Sequence, residues 1–170
     1  MVPPDGTTGG IRGNRPRMRG DSAPKPRAQN PAPDPAAPKK RVLFVCIGNS
    51  CRSQMAESFS RAYGRDVMTV ESAGLSPASI IQPMTTQMMA ERNLNVDGQF
   101  PKDLELVMDR GFDLVVNISG HPVSVPGARV VNWTVADPIG QTEAVYREVV
   151  NQIEGLVMGL ILMLRAGRMP

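Results

Sequence analysis

The sequence predicts an α/β fold of three layers, α/β/α, built on a four-stranded parallel sheet. Two observations lead there. Four short runs rich in Val and Leu alternate with segments of helical spacing, and the links between them are short. A third observation places the site: the small polar run VCIGNSCRS (45–53) falls between the first strand and the first helix. In sheets of this kind ligands lie beyond the carboxyl ends of the strands.

The first strand is RVLFVC (41–46), apolar after its first residue, as expected of a strand covered on both faces. SQMAESFSRAYG (53–64) carries Met55, Phe59 and Ala62 at helical spacing and stops at Gly64. VMTVESAG (67–74) reads as the second strand, and PMTTQMMAERNLN (83–95) as a second helix with Pro83 in its first turn. KDLELVMDR (102–110) is expected to form a short helix, DLVVNIS (113–119) the third strand and RVVNWTV (129–135) the fourth. The last helix is expected from Gln141 to Arg165, and its apolar end LVMGLILML (156–164) suggests a partner or dimer face. The Val, Met and Leu stripes are core positions, with flexible Met as filler.

These elements make one catalytic domain over residues 41–166, preceded by a tail, residues 1–40. The first forty residues contain nine prolines and few sizeable apolar side chains, too little apolar surface to offset ordering entropy, so disorder is expected. Residues 1–41 carry nine Lys or Arg against three Asp, whereas residues 42–170 carry ten against thirteen acids. The basic tail lacks aromatic interleaving or a recognition element, which argues against nucleic-acid binding. The run at 156–164 is shorter than the roughly 20 residues a membrane span needs. With no signal-like apolar region and two cysteines, the expected compartment is the cytoplasm.

Both cysteines lie in the loop, where Cys46 to Arg52 reads C-x5-R. Its interior is Ile47, Gly48, Asn49, Ser50 and Cys51. Small polar residues let several main-chain N–H groups turn toward one anion, and the following helix adds its N-terminal donors. Arg52 supplies a planar fork for two oxygens of a tetrahedral oxyanion. The same donors favour a thiolate, which makes Cys46 the candidate nucleophile. Gly48 tolerates positive φ, Asn49 can tie the loop through its side chain, and Ser53 either caps the helix or donates to the sulfur.

Other readings fit less well. A Walker loop needs a lysine that is absent, and a dinucleotide fingerprint needs three glycines where only Gly48 stands. A metal site built on Cys46 and Cys51 has a single histidine, His121, as its only other soft ligand, so no metal and no bound cofactor is expected. His121 reads as a surface loop residue. VADPIG (135–140) puts Asp137 at the sheet edge that carries Cys46, where it is either a general acid for a departing oxygen or an N-cap of the last helix. A noncatalytic phosphate sensor would use Arg52 and the loop but would not need Cys46, Ser53 and Asp137 together.

VLFVCIGNSCRSQMAE, the ESAG after the second strand and the late Asp-Pro resemble the low-molecular-weight protein tyrosine phosphatase superfamily. NSCRSQMAE is most similar to its arsenate reductase branch. The resemblance implies Cys46 as nucleophile, Arg52 as oxyanion clamp, Asn49 as loop organiser, Ser53 as thiolate partner and Asp137 as general acid. It also implies that Cys51 is a resolving or protective thiol able to pair reversibly with Cys46, the alternative being a buried small hydrophobe.

Two departures bear on the substrate. Thioredoxin-coupled reductases of the superfamily keep two more cysteines after the third strand, where this chain has NISGHPVSVPGA. Arsenate reduction would therefore need an external thiol, from a small molecule or a glutaredoxin- or thioredoxin-like protein. Tyrosine phosphatases place a tyrosine after the Asp-Pro, where this chain has Ile139, leaving Trp133 or Tyr146 to meet an aryl group. The expected activity is arsenate reduction, with phosphomonoester hydrolysis as the alternative.

Overall fold

The computed structural model describes residues 9–10 and 37–170. Most of the expected tail, and with it the expectation of disorder, lies outside the described residues. Nine elements follow in order. They are β1 (Lys40–Cys46), α1 (Arg52–Tyr63), β2 (Met68–Gly74), α2 (Pro83–Ala90), two short 3₁₀ turns (Leu104–Leu106 and Met108–Arg110), β3 (Leu114–Asn117), β4 (Arg129–Asn132) and α3 (Glu143–Arg165).

The sheet is parallel throughout, in the order β2-β1-β3-β4. Its two faces are read directly from β1. Val42, Phe44 and Cys46 point to the layer made by α1, α2 and α3, while Leu43 and Val45 point to the other side. That second face is covered by Leu104, Val107, Phe112 and Val125, so its outer layer is built on the two 3₁₀ turns. The expected helix at 102–110 is thus corrected. Val107 breaks the α path at φ −124° and Gly111 ends the second turn in the left-handed region.

The other differences also have local causes. α2 stops five residues before the expected Asn95 because Asn93 turns left-handed at φ 57° and Leu94 N–H closes onto the Met89 carbonyl. β3 ends at Asn117 because its side chain takes over the bonding, accepting from Ser119 N–H and donating to His121 O and Asn132 Oδ1. α3 starts at Glu143 with Thr142 as N-cap, its hydroxyl accepting from Val145 N–H. No helix among the described residues is long and apolar enough to cross a membrane.

The register aligns the strand ends that matter. Cys46 pairs with Gly74, Val45 with Asn117, and Asn117 with Asn132. All four strands therefore finish at one edge, where the loop from Cys46 into α1 begins.

Candidate active site

The loop is a ring whose carbonyls point outward. The carbonyls of Cys46, Ile47, Gly48 and Ser50 accept from the N–H groups of Leu75, Ser76, Ala78 and Gln82, and Gln54 Nε2 donates to the Asn49 carbonyl. Among the described residues, the main-chain N–H groups of Gly48 through Ser53 have no acceptor. Main-chain N–H groups without partners favour an acceptor, so this concentration of unused donors suits an anion. Ser50 Oγ is also buried without a partner among the described residues. Cys46 sits at the floor, 2% exposed.

The hydrogen-bond directions around the sulfur follow from Asn49. Its Oδ1 accepts from Lys102 N–H at 2.9 Å, which fixes the amide orientation. Its Nδ2 then donates to Ser53 Oγ and to Ser72 Oγ, both at 2.8 Å. Ser53 Oγ, already accepting, has its own proton left for Cys46 Sγ at 2.9 Å. Ser72 Oγ–H donates to the buried carboxylate of Glu57 at 2.5 Å, and Glu57 also pairs with Arg61 one helical turn on. The bonds diverge from the Asn49 amide, one branch ending on the Glu57 carboxylate and the other on a hydroxyl that donates to Cys46 Sγ. The two readings of Ser53 thus separate, because α1 has no side-chain cap.

Donor counting defines the role open to Arg52, which is 5% exposed. One terminal nitrogen donates to Ile118 O at 3.0 Å and Val135 O at 3.1 Å, the carbonyls just beyond β3 and β4. The other donates to Asp137 Oδ2 at 3.1 Å. Of five guanidinium protons, three are used; Nε–H and one proton of Nη2 remain, a pair of donors suited to two oxygens of an oxyanion. The carboxyl of Asp137 is 42% exposed beside this fork, and its second oxygen accepts from Ile139 N–H. Since Thr142 caps α3, Asp137 is not the helix cap.

Cys51 is built differently from Cys46. It is 1% exposed and its thiol is pushed up to about 12 by burial, against a hydrogen bond with Thr85 that pulls it down. Tyr146 stands beside it, and burial likewise pushes its phenol up to about 12. Both cysteines are free thiols. Tyr146 is thereby a core residue, while Trp133 is half-buried against Phe44, ring centres 5.8 Å apart, and borders a cavity beside Arg52. His121 is an exposed loop residue whose carbonyl accepts from Asn117 and Ser119. Among the described residues no group of three His, Cys, Asp or Glu could hold a metal.

A family model described as low molecular weight phosphotyrosine protein phosphatase matches residues 41–168. The chain belongs to this family. Within it, the chain is 36% identical over 127 residues to the glutaredoxin arsenate reductase of Synechocystis sp., covering 72% of this chain and 96% of that protein. It is also 36% identical to arsenate reductase 1 of Bacillus cereus over 121 residues, 68% of this chain and 89% of the relative. The solved structure of an arsenate reductase in the phosphate binding state aligns with TM-score 0.67 and 34% identity, covering 74% of this chain and 98% of that one. The phosphatase-family fold thus accounts for the four-stranded sheet and for a site at its carboxyl edge.

Several residues of this family site escape a reading by motif. Gly74 is one, because a Cβ there would stand 2.7 Å from Ile47 O and 2.9 Å from the Asn49 Cβ. Ser72, Glu57, Gln54 and the main chain of Lys102 are others. Ser72 and Gly74 belong to the ESAG run, and Glu57 closes the NSCRSQMAE run, so the signal lay in polar residues at positions where a strand and a helix should be apolar.

Proposed function

We propose that this chain reduces arsenate to arsenite, with Cys46 as nucleophile and an external thiol as the electron source. The observation that carries the reading is the ring of unused amides around a buried cysteine, completed by the two remaining donors of Arg52. Similarity to arsenate reductases supports arsenate as the oxyanion. Phosphomonoester hydrolysis is the less favoured reading, since Ile139 follows the Asp-Pro and Tyr146 is committed to the core.

In the proposed sequence, the loop amides and Arg52 hold arsenate over Cys46, which attacks arsenic in line. The S–As bond forms, and Asp137 protonates the departing oxygen. Ser53 stabilises the thiolate before attack. A thiolate R–S⁻ then attacks Cys46 Sγ: an S–S bond forms, the S–As bond breaks, and its electron pair goes to arsenic, releasing As(III) as arsenite. A second thiol attacks the mixed disulfide, so that two thiols are oxidised to one disulfide for each As(V) reduced. Cys51, held as a neutral thiol in the core, is assigned to packing in the reduced protein. The reductant comes from outside, as a small thiol or on a glutaredoxin- or thioredoxin-like protein.

The test is arsenite formed per mole of enzyme with thiol reductants, beside the Cys46→Ser variant and a tube without enzyme. Many turnovers, lost in the variant, are expected. Hydrolysis of an aryl phosphate without arsenite formation would overturn the reading in favour of the phosphatase activity.

A further inference from the structure

A cavity distinct from the anion cradle borders the site. A cleft of about 500 Å³ opens beside Arg52, between the carboxyl ends of β3 and β4. Ser119, His121, Asn132, Trp133 and Thr134 line it with Arg52, and no residue from 46 to 51 does. An arsenate ion occupies only a small part of such a volume and is already provided for by the cradle. A cleft of this size matches a small organic molecule.

The lining specifies the chemistry of that molecule. Arg52 is its only fully charged side chain, and Asp137 already partners it; no Asp, Glu or Lys lines the cleft. Asn132 Oδ1 is taken by Asn117, which leaves the Asn132 amide protons, the Thr134 hydroxyl and the His121 ring without partners among the described residues. Trp133 and Pro122 add flat apolar surface. Amide and hydroxyl groups around an indole face suit a neutral body rich in hydrogen-bonding groups, and a carboxylate-bearing one less well.

Given the reductase reading, on which this inference rests, the reaction has one organic participant: the thiol. We infer that the cleft beside Arg52 binds the body of a small thiol reductant, uncharged and bearing amides and hydroxyls, and so delivers its sulfur to Cys46. Arg52 is common to the cradle and the cleft, and the strand-end residues Asn132, Trp133 and Thr134 would hold the thiol-bearing molecule. The loop 117–122, which in this chain contributes no cysteine, forms one wall.

The chain has a single tryptophan, Trp133, so its emission reports on the cleft directly. The experiment pairs arsenite assays using pantetheine, glutathione or 2-mercaptoethanol as sole reductant with a titration of Trp133 emission by unreactive S-methylpantetheine. Pantetheine should saturate with a KM about tenfold or more below that of 2-mercaptoethanol. S-Methylpantetheine should change the emission along a single-site curve, shifted about tenfold weaker in Thr134→Phe and in Asn132→Ala. Rates linear in every thiol, with flat emission in the wild type, would overturn the inference. Tighter saturation by glutathione, with its two carboxylates, would overturn the neutral body. No arsenite with any thiol, alongside saturable emission, would instead overturn the reductase reading and leave the cleft's ligand class supported.

Discussion

Asn49 is where the loop's shape and its chemistry can be separated by two substitutions. It stands at φ 46°, in the left-handed region, and its side chain makes three hydrogen bonds, to Ser53, Ser72 and Lys102 N–H. Each bond is worth about 1 kcal/mol net, and Lys102 N–H would lose its acceptor, so Asn49→Ala should cost about 3 kcal/mol from bonding alone. The left-handed backbone adds about 1 kcal/mol for a residue with a Cβ, a term that Asn49→Gly avoids. Urea unfolding should therefore place both variants well below wild type, with the glycine variant about 1 kcal/mol above the alanine one. Both release the Ser53 hydroxyl from its orientation, and kcat/KM should fall about a hundredfold in each, since small misplacements near a reacting atom are costly. Equal stability of the two variants would show that the backbone at residue 49 carries no strain. Activity within about threefold of wild type would refute the claim that Asn49 aims the Ser53 proton at Cys46.

Gly74→Ala should lower stability by about 2 kcal/mol and cut kcat/KM at least about tenfold, because the new Cβ meets main-chain atoms of the nucleophile loop that cannot swing away. Thermal unfolding and steady-state assay check both effects. Glu57→Gln should cost about 2 kcal/mol by weakening a charge-assisted bond to Ser72 and the Arg61 pair, with a smaller loss of activity than at Asn49 because two further bonds separate it from the sulfur. Cys51 and Tyr146 make a pH prediction. Both are raised to about 12 in the fold from 9.0 and 10.0, so the stability they contribute is complete below pH 9 and is lost as pH rises toward 12. The loss arises because the unfolded chain ionises first. Denaturant titrations at pH 8 and pH 11 should show it, with a smaller drop in the Cys51→Ala, Tyr146→Phe double variant, while iodoacetamide at pH 8 should label Cys46 alone.

The elements that were legible in the sequence are those whose pattern reflects burial on both sides. β1 reads as an unbroken apolar run because neither face meets water, and α1 reads from Met55 and Phe59 because they reach the core. What was not legible depends on side chains that act on the main chain. Asn93 ends α2, Val107 and Gly111 turn an expected helix into two 3₁₀ turns, and Asn117 draws the bonds that stop β3. The site divides the same way. Cys46 and Arg52 are visible as a spacing, whereas Glu57 and Ser72 become part of the site only when parallel pairing sets β2 beside β1 and brings α1 over both.

That arrangement also bears on why the electrons should come from outside. A thiol can resolve an adduct on Cys46 only if it is both near and ionised at working pH. Cys51 meets the first condition, but burial, outweighing the hydrogen bond with Thr85, holds it as a neutral thiol. Thr85 Oγ1 and Gln82 N–H both donate to the Ser50 carbonyl beside it, so releasing Cys51 to attack would disturb the bonds and packing that keep the amide ring in shape. On the proposed reading, the second cysteine of this loop serves the packing of the cradle in the reduced protein, and the reductant comes from outside. The rate-limiting step at low thiol should accordingly be capture of the reductant. The cleft beside Arg52 is the feature of the fold that can raise the local concentration of that thiol without adding any group to the cradle.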